Sequence, residues 1–159
     1  MSLPRFRIEG HLYYITTVVY GRLPIFRRAS FVLPLLDSLN YYRYANEFKL
    51  LGYAIMPDHV HLLIWPVGAA TVSDIMRNYK EFTAKRIAKQ AQVEGLAEWS
   101  QAFLRAGQET GHAQSKVWQD SYWDENVYSE RFLRQKLNYI HRNPVRGGLV
   151  SQPEDYPYC

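Results

Sequence analysis

Apolar positions fall into a succession of short strand-like runs and helical stripes. Leu12 to Tyr20 (LYYITTVVY) is β-branched and aromatic and stops at Gly21, which predicts a strand. Phe31, Leu35, Leu39 and Tyr42 then recur at helical spacing, predicting a helix from a Ser30 cap to about Asn46, with Pro34 in its tolerant early part. Phe48 to Met56 predicts a second strand, Pro57-Asp58 a turn, and His59 to Trp65 a third strand returning antiparallel before Pro66 and Gly68. Thr71 and Asp74 form a capping arrangement that opens a helix to about Gln92, with Val72, Met76, Tyr79 and Thr83 on one face. Val117 to Tyr128 predicts a last, aromatic strand. Ser129 caps a final helix expected to stop near Asn143, because Pro144 disfavours helical geometry in the residue before it.

Strand, helix, strand, strand, helix, strand is a ferredoxin-like α+β plan (βαββαβ), here with an added C-terminal helix. Residues 93–116 are small and polar, with a short helix around Trp99 and Phe103, and read as an insertion in a single domain of residues 1–159. That length suits one domain with its own core. The fold plan serves many functions and selects none.

Charge narrows the field. The formal net charge is +4, and its distribution is more telling than its size. Arg131 to Arg146 carries five basic residues and no acid, and Arg77 to Lys89 carries five against Glu81 alone. Two basic helices suit a polyanion, although solvated helix faces would look the same. The single cysteine, Cys159, excludes an internal disulfide and fits a reducing cytoplasm. The first seven residues lack an apolar export core, and Pro66 breaks the best apolar run, so neither secretion nor membrane spanning is expected.

His59-Val60-His61 carries candidate chemistry. Side chains two apart on a strand share a face about 6–7 Å apart, so both imidazoles can converge on one cation while Val60, Leu62 and Ile64 enter the core. Two polar residues at a strand mouth would read identically, and two nitrogens do not complete a metal site. On the last helix Tyr139 and Asn143 are four apart and share a face. An amide oxygen there can join two imidazoles on a hard cation, with the phenol one turn away. A buried tyrosine and a helix-ending asparagine are the plainer alternative. Together with the basic helices, the four residues suit transesterification at a DNA phosphate. A phenol is a weak nucleophile near its ordinary pKa of about 10, and Lys136, three residues before Tyr139, is placed to favour the phenolate or hold the phosphate.

Pro57-Asp58-His59-Val60-His61-Leu62-Leu63 resembles the signature of the tyrosine HUH transposases, which act on single-stranded DNA. Trp118-Gln119, Tyr122-Trp123-Asp124 and Tyr139-Ile140-His141-Arg142-Asn143-Pro144-Val145-Arg146 are similar to the REP-associated tyrosine transposases, as are the opening Gly10-His11-Leu12-Tyr13-Tyr14-Ile15-Thr16 and the ending Asp155-Tyr156-Pro157-Tyr158. The resemblance spans the chain except residues 93–116. It implies Tyr139 as nucleophile, forming a 5′-phosphotyrosine link and releasing a 3′-hydroxyl. It implies His59, His61 and Asn143 as ligands of Mg2+ or Mn2+, and imperfect single-stranded DNA hairpins as substrates. Asparagine rather than glutamine at 143 matches the REP-associated branch over the insertion-sequence branch. Arg77, Lys80, Lys85, Arg86, Arg131, Arg134, Arg142 and Arg146 are expected at phosphates, setting affinity and salt dependence rather than sequence choice.

Other residues weigh less. Tyr79 lies on a core face, and His141 is about 200° around its helix from Tyr139. His11 and His112 read as surface histidines. Trp118, Tyr122 and Trp123 can stack on bases or fill the core. A histidine-triad hydrolase is excluded, because Leu63 stands where that family needs its third histidine. A zinc hydrolase would need a further ligand, for which Asp58 is expected on the wrong strand face. The remaining rival is a domesticated, non-catalytic protein that binds DNA hairpins. Insertion-sequence relatives are dimers that exchange the tyrosine helix, and a helix stopping at Pro144 favours a monomer here.

Overall fold

Alternate side chains of the central strands leave the sheet on opposite faces, and different helices cover each face. The computed structural model describes residues 10–45, 47–111 and 115–159, so the expectations for His112 and for a helix end at Asn46 lie outside the described residues. Strands β1 (Leu12–Val18) and β3 (His59–Pro66) occupy the centre, with β2 (Phe48–Ile55) beyond β3 and β4 (Trp123–Val127) beyond β1. The order is β2-β3-β1-β4 and every neighbouring pair is antiparallel. Helices α1 (Ala29–Tyr44) and α2 (Val72–Val93) make the crossovers, giving the predicted ferredoxin-like α+β fold.

On one face Ile15, Val60, Leu62 and Ile64 pack with Phe31, Leu35 and Leu39 of α1 and Ile75, Met76 and Tyr79 of α2. On the other, Tyr14, Ala54, Leu63 and Val127 pack with Ile140 and the half-buried Leu133 and Leu137 of α4 (Glu130–Arg146). That second, smaller core holds α4 on the histidine face. Gly52 of β2 eases its approach, since a Cβ there would stand 3.0 Å from Leu137 Cδ2 and press on that side chain.

Thr71 and Asp74 form the predicted capping box, and Ser129 accepts from the Phe132 N–H as the predicted cap of α4. Several boundaries differ. β1 ends at Val18, where the chain turns through Gly21 and Arg22 (φ 65° and 53°) and Val19 bridges to Trp118. α1 starts at Ala29 without a side-chain cap, and Ser30 instead bonds Glu94. Residues 97–110 form a full helix, α3, that seats Phe103 in the main core and buries Ala106, so most of the expected irregular stretch is ordered packing. The fourth strand shortens to Trp123–Val127 because Val117 and Trp118 are in the core rather than in the sheet.

The helix α4 passes through Pro144 and ends at Arg146, so Asn143 is not its terminator and the sequence argument for a monomer loses its premise. Proline removes the N–H that would reach the Ile140 carbonyl. The Cys159 thiol donates to that carbonyl instead, at 4.0 Å. The same terminal segment lies along β2, with the Tyr156 hydroxyl 2.5 Å from the Ile55 carbonyl and the Ile55 N–H donating to Tyr158 at 2.9 Å. Among the described residues no helix is long and apolar enough to cross a membrane.

Candidate active site

Antiparallel register brings His61 opposite Thr16 and His59 opposite Val18, on the face covered by α4. His61 is buried and His59 half-buried, and their Nε2 atoms are 3.1 Å apart. The Asn143 amide reaches from α4 and donates to His61 Nε2 at 2.9 Å, which leaves the ring proton on Nδ1. That proton is offered to the hydroxyls of Tyr14 and Thr16, each 2.9 Å away. On the other ring, His59 Nδ1 donates to the Asp58 carboxylate at 2.5 Å, and Arg22 donates to the second Asp58 oxygen at 3.2 Å. Both imidazoles are thus fixed by partners on Nδ1 with Nε2 turned inward, the usual device for orienting metal-binding histidines.

Electrostatics agree with this geometry. Burial, then the charges of His59 and Lys136, push the His61 pKa down to about 3, so the ring is neutral and its Nε2 accepts from Asn143. Burial drives the Tyr14 phenol up to about 12, which keeps it a neutral hydrogen-bonding prop. For Asp58, burial alone would raise the pKa, but the hydrogen bonds and charges of His59 and Arg22 outweigh it and hold the carboxyl below its ordinary value.

No three His, Cys, Asp or Glu side chains converge as a metal cluster among the described residues, so a cation here would need the Asn143 amide. The donor set fits one. Nitrogens 3.1 Å apart match neighbouring corners of an octahedron with bonds of about 2.1 Å.

Tyr139 sits one turn before Asn143. Its ring centroid is 5.6 Å from that of His61 and 6.2 Å from that of Tyr14, both edge-to-face, and it is 40% exposed. The phenol and the imidazoles therefore meet within one chain, at a cleft of about 580 Å³ floored by Tyr14, Thr16, His59 and His61. Gln119, Tyr122 and Trp123 also line it.

The basic residues divide. Arg131 and Arg142 are exposed on α4, and the Arg146 guanidinium lies 5.3 Å over the Tyr139 ring. Arg77, Lys85 and Arg134 are exposed but paired with Asp74, Glu81 and Glu130, and Arg86 lies over Phe82. Lys80 departs from the expected phosphate role: its ammonium donates to the carbonyls of Gln119 and Asp120 at 2.6 and 3.0 Å, bracing the segment that borders the cleft. Lys136 lines the cleft, yet its ammonium is 2.7 Å from the Glu125 carboxylate and 4.4 Å above the Tyr14 ring, so its charge is already engaged. Tyr79 is buried, Trp118 is a core residue donating to Thr83, and Trp123 is 60% exposed at the cleft mouth, so the three aromatics have separate roles. His11 and His141 are exposed.

Residues 8–143 match the family model described as transposase, IS200-like. The chain belongs to this family. A Haemophilus influenzae protein assigned as a REP-associated tyrosine transposase is 28% identical over 159 residues, covering 94% of this chain and 79% of that one. The Escherichia coli K12 REP-associated tyrosine transposase is 22% identical over 115 residues, covering 71% of this IS200-like chain and 54% of its own length, so this chain spans about half of that relative. Among solved structures, one described as a REP-associated tyrosine transposase bound to a REP hairpin superposes with a TM-score of 0.68 at 19% identity, covering 99% of this chain and 81% of that one. A Deinococcus radiodurans R1 protein assigned as a transposase gives 0.52 at 22% identity, covering 89% and 97%. At these identities the structural likeness speaks for the fold.

Sequence reasoning assigned no role to Tyr14, Thr16 or Arg22, and it misplaced Asp58. Strand alternation put Asp58 on the far face, but it belongs to the turn before β3, where alternation does not apply, and its carboxylate swings back to His59. The Thr16–His61 pairing depends on register, which a single sequence does not display.

Proposed function

We propose that this IS200-like transposase cuts and rejoins single-stranded DNA beside imperfect hairpins through a covalent bond to Tyr139. The observation that supports it most is the meeting of Tyr139, His59 and His61 at one cleft, with Asn143 bonded to His61, the His59 and His61 Nε2 atoms 3.1 Å apart and the phenol ring 5.6 Å from His61. The relative described as bound to a REP hairpin supports the hairpin as substrate class.

In the cutting step the Tyr139 oxygen attacks phosphorus and its proton passes to solvent. The bond from phosphorus to the 3′ oxygen breaks, that oxygen takes up a proton and departs as a 3′-hydroxyl, and Tyr139 keeps the 5′ phosphate. Rejoining is the reverse attack by a 3′-hydroxyl. His59, His61 and Asn143 would hold Mg2+ or Mn2+, which when bound supplies positive charge to the phosphoryl oxygens. Asp58, Tyr14 and Thr16 keep both rings in the ligand tautomer, and the α4 backbone fixes the phenol one turn from the amide.

The test is incubation of a labelled single-stranded hairpin with the protein and Mn2+. A covalent protein–DNA adduct, absent in Tyr139→Phe while hairpin binding persists, supports the reading. Binding without adduct in any divalent metal would instead assign the chain as a hairpin-binding protein without catalysis.

A further inference from the structure

The wall carrying His59 and Tyr139 has two sides. The same two residues that line the main cleft also border a second cleft of about 400 Å³, lined besides by Arg27, Asn143, Arg146 and Gly147. Its two cations come from different elements. Arg27 ends a 3-10 turn whose Ile25 and Phe26 are buried, and the Phe26 N–H donates to the Pro57 carbonyl at 3.0 Å, so this arginine is mounted on rigid structure. Arg146 lies seven residues after Tyr139 and three after Asn143, which places all three on one stripe of α4. Among the described residues neither arginine has an ion-pair partner, in contrast to Arg77, Lys85, Arg134 and Lys136. One acid, Asp58, lines this cleft, and its carboxylate is already engaged by His59 and Arg22.

A phosphodiester strand cut at Tyr139 has chain on both sides of the broken bond, and two clefts border that residue. Resting on the strand-cutting reading above, we propose that the second cleft is a backbone subsite for the strand beyond the cut, with Arg27 and Arg146 gripping the phosphate adjacent to the scissile one. Guanidinium groups suit this ligand because their paired N–H donors match two phosphate oxygens. Backbone contacts of this kind hold register without reading sequence. The subsite keeps the freed end within reach of Tyr139, as rejoining requires.

The probes are the hairpin oligonucleotide cut in the adduct assay and two shorter forms that end at the cut, each lacking strand on one side. Binding is measured by fluorescence anisotropy in a Tyr139→Phe background, with Arg27→Ala and Arg27→Ala/Arg146→Ala added. The expected result is roughly tenfold weaker binding of the full oligonucleotide and of one shortened form, and less than about twofold change for the other. Equal weakening for both shortened forms, or none for any, would overturn the subsite and leave the cutting reading intact. Failure of the parent to form an adduct on any hairpin would overturn both. Arg27→Ala is the deciding variant, because it lies off α4 and leaves the Tyr139 ring contact in place. Its melting temperature serves as the fold control.

Discussion

Asp58 and His59, adjacent in sequence, bond side chain to side chain: the carboxylate oxygen is 2.5 Å from Nδ1, and this fixes which nitrogen of the ring faces His61. Asn at position 58 can accept the same proton but lacks the charge that makes the ring a better donor to a cation. Asp58→Asn is therefore expected to lower adduct formation about 10- to 100-fold and to raise the Mn2+ concentration for half-maximal rate, with hairpin affinity little changed. A rate equal to the parent's at limiting Mn2+ would remove this role.

Metal binding should be visible without catalysis. In Tyr139→Phe, Mn2+ is expected to raise the melting temperature, because a ligand that binds only the folded state stabilises it by mass action. His59→Ala should abolish that rise while leaving hairpin affinity within about tenfold, or about 1.4 kcal/mol. A retained thermal shift would place the ion elsewhere.

Gly52 sets how closely α4 approaches the sheet, since a Cβ there would meet Leu137 Cδ2 at 3.0 Å. Gly52→Val should destabilise the fold by about 1–3 kcal/mol in urea denaturation. Adduct yield at a temperature where the variant is fully folded should fall further than hairpin binding, because the displaced helix carries both Tyr139 and Asn143.

Burial lowers the Lys80 pKa from its ordinary 10.5 to about 8. Between those values the unfolded chain binds more protons at this site than the folded chain. The site therefore adds stability as pH rises from about 8, and that contribution is lost as pH falls. Lys80→Met should flatten the parent's rise in unfolding free energy between pH 8 and 9.5, measured by urea titration. It should also weaken hairpin binding by loosening Gln119 and Asp120 beside the cleft. Parallel pH profiles would contradict this account.

Periodicity exposed the βαββαβ order because period-two and helical patterns are local. The His59–His61 and Tyr139–Asn143 pairs were legible for the same reason: each is a same-face spacing within one element. Contacts between elements were not. Tyr14 and Thr16 reach His61 through register, and Arg27 joins the second cleft through the packing of a turn on Pro57. Lys80 and Lys136 looked like free cations, because sequence shows charge but not the carbonyls and carboxylate that occupy it. α3 was legible only as a short helix around Trp99 and Phe103, because its other buried positions are the small Ala106 and Gly107. The end of α4 was misjudged because proline's steric rule is statistical, and Cys159 takes up the carbonyl that Pro144 leaves open.

Tyr139 and Asn143 ride on the same helix, separated by four residues and so by about 6 Å of axial rise that the backbone itself enforces. Their mutual spacing is insensitive to the rest of the molecule, whereas their distance from the two imidazoles depends wholly on how α4 docks. Anything that tilts or slides this helix displaces hydroxyl and amide together, as the two prongs of one fork.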